Sequence, residues 1–138
     1  MTKLETLMSD FHAHVSYIFD EHGEVAPSWM LEDAAGKQLV VLSPFTDETA
    51  SKEAIVEAVR GLLTEHNAVR YCFASEIWCD PTQTKDAVII LGEERDSGER
   101  CGMIYDIDRS RRRPRLMGGQ EFTAVEGRFT GLFRRRGH

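Results

Sequence analysis

At 138 residues, with 41% hydrophobic and 29% charged side chains, the chain has the size and composition of one globular domain, able to bury about two-thirds of the surface its unfolded form exposes. It contains no run near the roughly 18 consecutive apolar residues of a membrane-spanning helix, and the start MTKLETLMSDFHAH carries charges where a signal peptide has its apolar core, so a cytoplasmic protein without a membrane partner is expected. The net charge of −6 is unevenly spread: residues 1–108 hold 21 acidic and 8 basic side chains, whereas residues 109–138 hold 9 arginines against Glu121 and Glu126, as expected of an arginine-rich segment folded back on an acidic body.

Thr2 and Glu5 spell a capping box, which predicts a helix beginning at residue 3. Leu4, Leu7, Met8, Phe11, Val15, Ile18, Phe19 and His22 then recur with helical periodicity, Gly23 suits a left-handed cap, and Pro27 forbids continuation. The next segment, PSWMLEDAAGKQLVVLSP, reads as a hairpin with strands near 28–33 and 38–43 around a turn at Ala34 to Lys37. Thr46, followed by Asp47 and Glu48, predicts the N-cap of a second helix over 47–65, whose core stripe is Ile55, Ala58, Val59, Leu62 and Leu63 and which stops near Asn67.

Beyond it, AVRYCFASEIWC, AVIILGEE and GMIYDID are strand-like runs separated by turn chemistry at Asp80-Pro81 and RDSGER. A further meander strand is expected near Gly127 to Phe133, with room for a short one around Pro114 to Met117. The chain 1–138 is thus read as a single α+β domain of order α-β-β-α-β-β-β, an antiparallel sheet (hairpin plus meander) packed on two amphipathic helices. That order resembles roadblock and profilin-like α+β domains, a resemblance that transmits no function.

The stretch Asp10 to His14, DFHAH, has the Asp-x-His-x-His spelling that opens the metal site of many amidohydrolase-type enzymes. On a helix, His12 and His14 stand about 200° apart around the axis and cannot converge on one ion. Enzymes with this spelling also use large barrels of about 200 residues or more, which this chain cannot supply. No metal or cofactor is therefore expected. His22 and His66 each end a helix, where an imidazole can pack near the terminal carbonyls. Cys72, Cys79 and Cys101 lack metal-like spacing and read as reduced, structural thiols, and no nucleophile elbow, Walker loop, GxGxxG, CxxC or HExxH is present.

Alternation along AVRYCFASEIWC assigns Val69, Tyr71, Phe73, Ser75 and Ile77 to the helices and Arg70, Cys72, Ala74, Glu76 and Trp78 to the opposite face. The same test turns Met103, Tyr105, Ile107, Phe129 and Phe133 inward, and Asp106, Asp108, Arg128 and Thr130 outward. Arg70, Glu76, Trp78 and Arg128 are accordingly the candidate binding residues, because Trp and Arg anchor interfaces. The expected function is a non-enzymatic interaction or regulatory module with a protein partner, a second copy being the simplest. One alternative is a small enzyme or ligand-binding protein using the Glu76/Arg70 region. Another is a nucleic-acid binder acting through Arg109 to Arg115 and Arg134 to Arg136, disfavoured by the overall acidity and the lack of aromatics within RSRRRPR.

Overall fold

The first helix, α1 (Lys3–His22), is closed at both ends by its own sequence. Glu5 N–H donates to Thr2 Oγ1 at 3.2 Å and Thr2 N–H donates to Glu5 Oε1 at 3.0 Å, while Gly23, at φ 73°, donates its N–H to the Phe19 carbonyl at 2.7 Å. The computed structural model describes residues 2–42, 49–78, 86–108, 115–122, 129 and 131–133, apart from the side chains of Thr49, Trp78, Asp86 and Phe122. Strands β1 (Ser28–Asp33) and β2 (Gln38–Leu42) form the expected hairpin. Its turn is tied by Asp33 Oδ1, which accepts from the N–H groups of Ala35 and Lys37 at 3.0 and 2.8 Å. Helix α2 (Thr49–Glu65) follows, and Asn67 leaves it in the left-handed region at φ 49°. The cap expected at Thr46 lies outside the described residues.

The chain then enters a meander of β3 (Ala68–Trp78), β4 (Asp86–Glu94), β5 (Arg100–Asp108) and β6 (Arg115–Phe122). All neighbours pair antiparallel, in the order β2-β1-β3-β4-β5-β6, because α2 carries the chain across so that β3 pairs with β1 rather than β2. The α+β class and the antiparallel sheet with its two packed helices are those read from the sequence. The sixth strand is longer than the short one expected around Pro114 to Met117, and in the segment expected to form a strand near Gly127 to Phe133 the described residues Phe129, Leu132 and Phe133 are in turns. No helix among the described residues is long and apolar enough to cross a membrane.

The two helices lie on opposite faces of the sheet, which corrects the expectation of one bare face. Leu4, Leu7, Phe11, Val15 and Phe19 of α1 pack on Met30, Cys72, Ala74, Val88 and Ile90. On the other face Val56, Val59 and Leu63 of α2 join Trp29, Leu31, Tyr71 and Phe73, together with Leu132 from the C-terminal segment. Phe129 stacks on Phe73 at 4.7 Å and meets Trp29 edge-on at 5.8 Å, while Phe133 lies 5.4 Å from Tyr71, so the inward positions expected of these two phenylalanines are observed. Small residues permit the approach of α1: a Cβ on Gly92 would stand 2.7 Å from Met8 Sδ. Consequently Ala68 through Ala74 are all buried, and β3 is central and covered on both sides.

Candidate functional site

Arg70 sits under the α1 face as the hub of a buried ion network. Its Nε and Nη2 donate to the two carboxylate oxygens of Glu94 at 2.7 and 3.1 Å, and Nη1 donates to Glu32 Oε1 at 2.5 Å. The side chains are 7% exposed for Arg70 and 14% for each glutamate, and the Glu94 hydrogen bond above all raises the guanidinium pKa further against the cost of burial. This pair of bridges clamps β1, β3 and β4 together.

Glu76 is engaged elsewhere, since its Oε1 accepts from Val25 N–H at 2.8 Å and pins the link between α1 and β1 to the sheet. Six residues of extended strand separate it from Arg70, about 20 Å, so the two do not converge on a common pocket. Trp78 pairs through its backbone with Asp86 in the β3–β4 ladder, but its side chain and the whole of Arg128 lie outside the described residues.

The opposite face holds a second polar node, which the sequence reading missed because Tyr71 and Gly131, two of its members, are distant from Glu93 in the chain. Glu93, 4% exposed, accepts from Arg100 Nε at 2.7 Å and from Gly131 N–H at 3.0 Å, and the Tyr71 hydroxyl lies 3.3 Å from both Glu93 Oε1 and the Phe129 carbonyl. Burial, reinforced by the Glu93 charge, pushes the Tyr71 phenol far above its ordinary value. The node fastens the C-terminal segment to the aromatic cluster, with its carboxylate neutralised by Arg100.

Residues with nucleophilic or ligating chemistry are likewise drawn into packing. Cys72 is buried and its thiol pKa is well raised, while burial and the nearby Glu99 carboxylate hold Cys101 at about 11, so both are thiols at neutral pH. Cys79 lies outside the described residues. His12 stacks on Tyr105 with centroids 4.3 Å apart, and burial lowers its pKa; His14 stacks instead on Phe11 at 6.3 Å. The helix thus spreads the DFHAH motif rather than gathering it, and among the described residues no group of three or more His, Cys, Asp or Glu side chains is placed to hold a metal ion.

A groove of about 480 Å³ lies between the C-terminal half of α1 and the hairpin, lined by Val40 and Leu42 on one side and Val15, Ile18 and Val25 on the other. His14, His22 and Glu24 supply its polar lining. Val40 is 42% exposed and Leu42 69%, on an outermost strand whose five residues carry no charge. In the hairpin the Lys37 carbonyl accepts from Asp33 N–H at 3.0 Å, which points the main chain of Lys37 toward β1. By strict alternation the N–H and C=O groups of Gln38, Val40 and Leu42 point outward, where no described residue pairs with them.

The sheet's other edge is built differently. β6 carries Arg115 and Glu121, two successive glycines at φ 74° and 134°, and an irregular register against β5. Charge and bulge are devices that keep an edge from pairing, and β2, a strand of five residues, has neither. The sequence signal for this site was the apolar, uncharged run QLVVL, whose meaning depends on where the strand falls in the sheet. Neither a family model, nor a known protein, nor a solved structure gives a match to this chain, so the reading of its function rests on the geometry of this groove and edge.

Proposed function

We propose that the chain is a non-enzymatic protein-interaction module whose working surface is the outer edge of β2 together with the groove beside it, and which accepts an extended strand from a protein partner. The observation that carries this reading is the coincidence of an unguarded main-chain edge with an apolar groove along the same strand. Strand addition satisfies the outward amides and carbonyls of Gln38, Val40 and Leu42 and covers the exposed side chains of Val40 and Leu42, at about 25 cal/mol per Å² of apolar surface removed from water. The main-chain bonds supply affinity without sequence preference, and the groove selects apolar residues at alternate positions. A cytoplasmic setting fits the free thiols of Cys72 and Cys101. The candidate residues Arg70 and Glu76 support this surface indirectly, by locking β1 and the α1–β1 link against β3.

The test uses a short synthetic strand of alternating valine and threonine with lysine at both ends, titrated into the labelled protein and followed by amide chemical shifts. Shifts confined to Gln38–Leu42, Ile18 and Val25 are expected. Shifts elsewhere, or none at millimolar peptide, would refute the reading.

A further inference from the structure

We infer that the strand taken up by β2 is β2 of a second copy, giving a twofold-symmetric dimer with one continuous twelve-stranded sheet; this rests on the strand-accepting reading of that edge. The first argument is the symmetry of the outward main chain. Gln38, Val40 and Leu42 all present their N–H and C=O groups outward, so a twofold axis at Val40 lets the two Val40 residues exchange both bonds, and each Gln38 exchange both with Leu42 of the other copy. No outward group of the strand is left over. Any extended strand offers such groups, but a second copy brings a strand of the same length with the same outward set, so the pairing is complete at both ends.

Charge permits the same pairing. With the axis at Val40 a lysine or glutamate there would oppose its own copy, and one at Leu39 or Val41 would lie diagonally from it; Gln38–Leu42 has no charge to repel. On the groove side Val40 faces Val40, and Gln38 faces Leu42 beside the His22 and Glu24 lining, while on the α2 side Leu39 faces Val41 and extends an existing core cluster.

Closure follows from the contrast between the two edges. Pairing β2 with β6 of another copy would be head-to-tail and would grow an open filament. The charges, positive-φ glycines and irregular register of β6 stand against it, which leaves the self-limiting β2–β2 contact.

The experiment is sedimentation and light scattering of the full chain from micromolar to millimolar concentration. The mass is expected to rise from the 15.7 kDa of one chain toward twice that value. Val40→Lys and Leu42→Lys, both at exposed positions, should each weaken association at least tenfold with an unchanged circular dichroism spectrum, and Met117→Lys on the β6 edge should leave it intact. Association that survives both β2 variants, or that Met117→Lys abolishes, overturns the inference. A wild-type protein monomeric throughout also overturns it; if the valine–threonine peptide still binds the β2 edge in that case, the strand-accepting reading stands with a foreign partner, and if it does not, both fall.

Discussion

Replacing Arg70 by methionine keeps most of the side-chain stem and removes the guanidinium, leaving Glu32 and Glu94 with no counter-charge among the described residues. The two carboxylates are only 14% exposed, so water cannot take over the work of Arg70. Breaking a buried ion network at one partner costs about 3–5 kcal/mol, whereas an exposed pair is worth at most about 1 kcal/mol. With a urea slope near ~2 kcal/mol per molar for a domain of this size, the unfolding midpoint should fall by about 2 M.

Adding Glu32→Gln and Glu94→Gln to Arg70→Met removes the stranded charges and should restore most of the loss at neutral pH. A cost below about 1 kcal/mol for Arg70→Met would refute the argument and return Arg70 to the role of a binding residue.

Phe129→Ala should cost about 2–4 kcal/mol by urea titration, less than a fully buried phenylalanine because the ring is only partly covered although it contacts both Trp29 and Phe73. His12, whose folded-state pKa is lowered by burial against Tyr105, favours folding in its neutral form; stability should therefore fall as pH drops from about 7 through the unfolded value of about 6.5, and His12→Gln should flatten that slope in thermal melts. Because the rings of His12 and His14 pack on different neighbours, elemental analysis of purified protein should find no stoichiometric zinc, iron or manganese, and one metal per chain lost on changing both histidines would contradict the helix.

Local chemistry determined much of the architecture before any contact was known. The capping box at Thr2 and Glu5 and the glycine at 23 set the ends of α1 within the chain itself, and α1 in turn decided the fate of DFHAH, since helical spacing separates residues that a strand would align. The hairpin and the first strands of the meander were legible for the same reason: turn residues and strand periodicity act over a few positions. β6 was only partly legible because Gly118 and Gly119, both at positive φ, interrupt the alternation that marks a strand.

The tertiary structure decided which surfaces are inside. Alternation along β3 sorted its side chains correctly into two sets but could not say that both sets are covered, because Cys72, Ala74 and Gly92 look neutral in a pattern test and become the seat of α1 only once the helix is docked. Arg70 and Glu76 looked like surface residues because Glu32, Glu94 and Val25, which hold them, lie between 24 and 51 residues away in the chain. The same physics sets the position of β2. Its five uncharged residues would be an unremarkable inner strand had β3 paired beside them, and the crossing of α2 to the far side of β1 is what leaves their amides and carbonyls facing outward at the edge of the sheet.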